Sequence, residues 1–150
     1  MKYNKPKVIL ALDVATTTGW SVMIDGEIEA HGHFKIDSLG KLKSEITSLV
    51  LTWDPTHVIA ASPTRFFNTI FLHGKFFGVI EFVLEKFGLS FWMDKTAKGK
   101  ATLPIDSKMK KAIFGKGVVS KQEIMDWAGV QQEDQADAVM MATYLNKQLT

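Results

Sequence analysis

Val8-Ile9-Leu10-Ala11-Leu12-Asp13 is the stretch on which the fold turns. Five apolar residues in a row mark a strand covered on both faces, the place of a central strand, and Asp13 closes it at its C-terminal end. Outward from it, Ala15-Thr16-Thr17-Thr18-Gly19 forms a loop of small residues that leads into Trp20-Ser21-Val22-Met23-Ile24. Asp25-Gly26 separates that run from Glu27-Ile28-Glu29-Ala30-His31-Gly32-His33-Phe34, and an Asp-Gly pair between two strand-like runs is the signal of a type I′ hairpin. The chain therefore opens as a three-strand antiparallel meander.

From Ser38 the period changes. Leu39, Leu42, Ile46, Leu49 and Val50 recur at three- and four-residue steps, which predicts an amphipathic helix capped by Asp37 or Ser38. Residues 57–61 form the next strand. A second helix over about 64–87 carries Ile70, Phe77, Ile80, Val83, Leu84 and Phe87 as its buried stripe and ends at Gly88. Leu89-Ser90-Phe91-Trp92-Met93 is a fifth strand, followed by a short helix over about 107–114. Ser120-Lys121-Gln122-Glu123 is a capping box opening another short helix, and the last helix runs from Glu133 to about Lys147. With right-handed crossovers this is an α/β fold: a five-strand mixed sheet, antiparallel meander then parallel βαβ, flanked by helices.

The 150 residues are 46% apolar and 23% charged, which suits one globular domain spanning 1–150. Without cysteine there is neither a disulfide framework nor a thiolate metal site, so a metal would rest on carboxylates or histidines. The basic start, Met1 to Lys7, precedes an apolar run too short for a signal segment or a membrane span, so a cytoplasmic protein without a membrane partner is expected. A net charge of +2 is mild. Its distribution is not: Lys95, Lys98, Lys100, Lys108, Lys110, Lys111, Lys116 and Lys121 lie in one stretch with Asp106 as the only acid between them. A lysine run alone more often marks a solvated face than a ligand site, so the acids decide.

Asp134 and Asp137 stand three apart at the start of the last helix, on one face and near the N-terminus that helps to hold negative charge. Ala138, Val139, Met140, Met141, Ala142 and Leu145 follow, so the helix packs on the sheet and carries its acids to a defined place. Taken alone, the two aspartates cap a helix and Asp13 begins a turn. Taken together, three converging carboxylates repel by roughly 1 to 4 kcal/mol per close pair and need a compensating cation. Mg²⁺ or Mn²⁺ suits an all-oxygen site, and two such ions about 4 Å apart serve phosphodiester cleavage.

Leu12-Asp13, Thr18-Gly19-Trp20, Pro55-Thr56-His57-Val58-Ile59-Ala60, Lys110 with Gly115-Lys116-Gly117 and Lys121, and Asp134-Gln135-Ala136-Asp137-Ala138 come in an order that resembles the signature segments of the RuvC-type Holliday junction resolvases, within the RNase H-like nucleases. Small size and the lysine-rich connection are similar to phage-encoded members. The resemblance implies an RNase H-like fold and a crossover junction endonuclease. It implies two Mg²⁺ or Mn²⁺ ions on Asp13, Asp134 and Asp137, with Lys110 and Lys121 near the scissile phosphate. It also implies four-way and other branched DNA as substrate, and a homodimer matched to the junction's two-fold symmetry. Arg65, Phe66 or Phe67, Lys98, Lys100, Lys108, Lys111 and Lys116 become DNA-binding candidates, with core packing the equal alternative for the two phenylalanines. Phe71, Phe76 and Phe82 serve either a dimer or the core.

One position departs from the family pattern. Six residues after Pro55, where a glutamate is expected, stands Ala61, followed by Ser62. Either the chain carries a deliberate substitution, or it has lost or relocated the acid, with Glu29 and Glu133 nearest by sequence. Both imply weakened cutting and leave open a catalytically silent branched-DNA binder. Asp13-Val14-Ala15-Thr16-Thr17-Thr18-Gly19 is also similar to the phosphate-binding turn of the sugar kinase and actin-like ATP-binding superfamily, a reading that needs a second, closing domain.

Overall fold

The computed structural model describes residues 5–61, 67–95 and 99–150, with 67–71 by backbone only. The central strand β1, Val8–Asp13, pairs antiparallel with β2, Thr17–Ile24, which pairs antiparallel with β3, Glu27–Lys35. Parallel to β1 on its other side lies β4, His57–Ala60, so the sheet order is β3-β2-β1-β4. At the hairpin tip Asp25 and Gly26 both take positive φ, 46° and 89°, the type I′ geometry that the pair predicts.

Helices cover both faces. α1, Leu39–Trp53, is capped by Ser38, whose Oγ accepts the Lys41 N–H at 3.1 Å. With α2, Phe67–Lys86, it packs on one side of the sheet. The other side takes α3, Asp106–Phe114, α4, Lys121–Ala128, and α5, Glu133–Gln148. At α4 the predicted cap forms: Ser120 Oγ accepts the Glu123 N–H at 3.1 Å. Alternation along β1 feeds two cores, Val8, Leu10 and Leu12 toward α1 and α2, Ile9 and Ala11 toward α5. The result is the expected mixed sheet flanked by helices.

The fifth strand is reduced. Residues 89–93 run parallel beside β4 but form a single bridge, Val58 opposite Phe91, with the Trp92 N–H donating to Val58 O at 2.7 Å. The chain is drawn off at Asp94, which is buried and accepts Lys108 Nζ at 2.6 Å and the Tyr144 hydroxyl at 3.3 Å. It then enters a two-strand ribbon, β5, Asp94–Lys95, and β6, Ala101–Thr102. The stripe of α2 also differs: Phe76 is buried in the core, while Phe87 lies exposed at the helix end. Phe76 is thus core and not dimer surface. Phe82 is 55% exposed and carries Lys86 Nζ over its ring.

Candidate functional site

Alternation on β1 turns Asp13 toward α5, and the antiparallel register places Gly19 directly opposite it. The missing side chain of Gly19 decides what happens next. A Cβ there would stand 2.0 Å from the Asp134 carbonyl oxygen and 2.7 Å from Asp134 Cβ, so the first turn of α5 rests on bare strand backbone. One turn on, the buried Ser21 hydroxyl donates to Ala138 O at 2.7 Å and fixes the approach. Asp134 is steadied from its own helix cap: Gln132 Oε1 accepts the Gln135 N–H at 2.7 Å, and Gln132 Nε2 donates to Asp134 Oδ2 at 2.8 Å.

The Asp13 carboxyl consequently lies within hydrogen-bonding reach of both Asp134 and Asp137. Burial, then the charges of Asp137 and Asp134, hold its pKa well above the usual carboxylate range. Asp137 is pushed up to about 6, first by burial and then by Asp106; the hydrogen bond from Asp13 and the nearby Lys110 charge oppose this. The three acids expected from the sequence do converge. Among the described residues no three acidic or imidazole side chains form a ready-made metal cage. Beyond burial, both raised values express the repulsion among these carboxyls, which a proton or a cation would relieve. The donor set, oxygen only, suits a hard divalent cation.

Lys110 and Lys121 flank this cluster. Lys110 Nζ pairs with Asp106 at 2.7 Å across one turn of α3, and its charge is felt at Asp137. Lys121 Nζ pairs with Glu133 at 2.6 Å; that hydrogen bond raises the lysine's pKa, with smaller contributions from Asp137 and Asp134. Asp106, in the sequence merely the one acid of a basic stretch, therefore belongs to the site's electrostatics. Only the packing of α3 against α5 reveals it. Lys116 pairs with Glu123 at 3.1 Å, and Lys108 is committed to the buried Asp94, so Lys108 acts within the fold. Lys100 and Lys111 are exposed. Phe67 begins α2, while Arg65, Phe66 and Lys98 lie outside the described residues.

Ala61 sits where the resemblance asks for an acid. The last registered pair of β1 and β4 is Leu12 with Ala60, so Ala61 follows beside Asp13, packed into the α5-side core. Its methyl group offers no ligand. Neither relocation candidate replaces it: Glu29 stands four residues along β3 from His33, which shares the Asp13 level, roughly 13 Å away. Glu133 is engaged by Lys121. A further network was not anticipated: the Gln135 side chain bridges His31 and His33, which alternation puts on the α5 face of β3. The loop compared with a phosphate-binding turn is closed on itself, the buried Thr18 hydroxyl donating to Ala15 O at 2.6 Å.

No protein-family model matches the chain, and no curated protein matches it in sequence. Solved structures do match in fold. Thermus thermophilus RuvC superposes with a TM-score of 0.72 at 15% identity, over 95% of this chain and 97% of that one. T. thermophilus RuvC in complex with Holliday junction substrate superposes with 0.64 at 14% identity, over 92% and 91% respectively. The likeness establishes the fold as RuvC-like, of the RNase H-like α/β type.

Proposed function

We propose that this chain, which has the fold of RuvC, is a structure-selective endonuclease that binds branched DNA, four-way junctions foremost, and nicks it by metal-assisted phosphodiester hydrolysis. The observation that carries the reading is the meeting of Asp13 with Asp134 and Asp137 at the tip of the central strand. These three residues would hold Mg²⁺ or Mn²⁺. When bound, such a pair of ions supplies charge stabilisation for attack and departure at phosphorus. Gln132 and Ser21 keep the carboxylates in place, and Lys110 and Lys121 present positive charge to the phosphate. Lys100, Lys111 and Lys116 add backbone affinity that falls with salt.

Ala61 favours a second reading on the same scaffold, a branched-DNA binder that cuts slowly or not at all. One experiment separates the two. A labelled four-way junction and a linear duplex of equal length are titrated with protein, first in a gel shift and then with Mg²⁺ or Mn²⁺. Junction preference with slow nicking, accelerated at least about tenfold by Ala61→Glu and abolished by Asp137→Asn, is the expected outcome. Equal affinity for both DNAs without nicking sinks the proposal. A two-fold homodimer suits a substrate with two equivalent strands to cut; sedimentation with and without junction tests that part.

A further inference from the structure

We propose that Asp106 and Glu133 are positioning residues, each holding one lysine ammonium beside the acid centre until a DNA phosphate takes it over. The inference rests on the nuclease reading and extends it to two groups outside the triad.

Each lysine near the triad has a carboxylate of its own. Lys110 is only 20% exposed, heavy cover for a lysine, and meets Asp106 at i,i+4, a spacing fixed by helix geometry. Asp106 occupies the first turn of α3, where the helix N-terminus favours its charge. Lys121 and Glu133 are the first residues of α4 and α5, so their pair ties the starts of two packed helices together.

Without such partners, a lysine on four rotatable bonds would swing into solvent or fall onto Asp137 and Asp134, occupying the oxygens that cations need. A separate acid prevents both. A partly exposed ion pair is also weak enough for a phosphate to displace. The contrast with Lys108 is instructive: its partner Asp94 is buried and shared with Tyr144, so that lysine is not available for release.

Amine-reactive footprinting of the full chain, read by mass spectrometry, tests the tether directly. Relative to exposed Lys147 in the same molecule, Asp106→Asn should speed acylation of Lys110, and Glu133→Gln that of Lys121, each at least about threefold. Junction DNA should protect both lysines in the unaltered chain. Unchanged rates in the variants overturn the tether whether or not the chain nicks DNA. In the kinetic arm, Asp106→Asn should lower kcat about tenfold with KM unchanged or lower, and Asp106→Glu should restore most of it. A merely structural acid would instead lower the folded fraction, and a merely repulsive one would tighten binding with kcat intact; either result overturns the proposal. Absence of junction binding and nicking in the unaltered chain would overturn the nuclease reading, leaving the footprint to decide the tether.

Discussion

On the α1 and α2 side of the sheet, β1 sends Val8, Leu10 and Leu12 against Leu42, Ile46, Ile80 and Leu84, all buried. On the α5 side the same strand offers Ile9, Ala11 and Asp13, its neighbour β2 offers Gly19 and Ser21, and α5 answers with Ala136, Ala138 and Ala142. Bulky side chains fill the space between helices and sheet on the first face. The second face buries bulky side chains too, Ile59, Met140 and Tyr144 among them, but at its Asp13 end Gly19 lets the first turn of α5 come down to the strand backbone, and that approach brings its acids to Asp13. The candidate site thus sits where helix and strand backbone approach most closely, while bulky side chains fill the cores on both faces.

The comparison is easiest to break on the α1 and α2 side. Leu10→Ala removes a fully buried side chain and should cost about 3 kcal/mol in chemical denaturation, by lost burial and residual cavity. Well below its melting temperature, nicking per folded molecule should be unchanged; a large loss would mean that the two faces are not independent. Where α5 meets Gly19 the balance reverses. Gly19→Ala adds one methyl where 2.0 Å is available to the Asp134 carbonyl oxygen, so α5 has to retreat. Overpacking of this kind costs about 1–3 kcal/mol, while displacement of the acids by an ångström should reduce nicking about a hundredfold.

A third effect, smaller in stability, belongs to charge. Asp13 and Asp137 both have folded-state pKa values raised above those of an unfolded chain, first by burial. For Asp137 the contribution to stability is therefore fully present below about pH 4 and is lost as pH rises through about 6; for Asp13 the direction is the same. In EDTA the melting temperature should fall between those limits. Asp137→Asn should flatten the profile and stabilise the protein at pH 7.5 by on the order of 1–3 kcal/mol. Mg²⁺ should stabilise the unaltered chain more than the variant. A variant less stable than its parent at pH 7.5 would show that the acids do not strain the fold.

What the sequence revealed, and what it hid, follows the range of the interactions. The apolar run ending at Asp13, the Asp25-Gly26 turn and the Asp134/Asp137 spacing are local, and each forms as its residues dictate. The reduced fifth strand is not local: it depends on Asp94 being captured by Lys108 and Tyr144, 14 and 50 residues away. Asp106 reaches the site only through helix packing, and nothing near it in sequence announces that. Phe76 and Phe77 are adjacent on α2, about 100° apart around the helix axis; Phe77 packs half-buried against the core and on Phe91 as its stripe predicts, while Phe76 is buried beside it. Gly19 was visible as part of a segment, but its reason, contact with a helix more than a hundred residues later, needed the register of β1 with β2.

Gln132 should show the smallest effect, and it probes whether closeness alone makes the site. Its side chain serves twice, accepting the Gln135 N–H as the cap of α5 and donating to Asp134 Oδ2. Gln132→Ala leaves Gly19 and the helix approach intact, so the acids stay near one another while Asp134 loses its orienting donor. Loss of the cap should cost about 1 kcal/mol of stability. If separation between helix and strand is sufficient for function, nicking should be unchanged after correction for folded protein. If the carboxylate also has to be aimed, kcat should fall several-fold while junction affinity, which rests on the lysines, stays constant. The second outcome is expected, because an aspartate beside like charges rotates away from them unless a donor holds it. Gln132→Glu, which keeps an acceptor for the Gln135 N–H but sets a carboxylate against Asp134, should lower kcat further than alanine does.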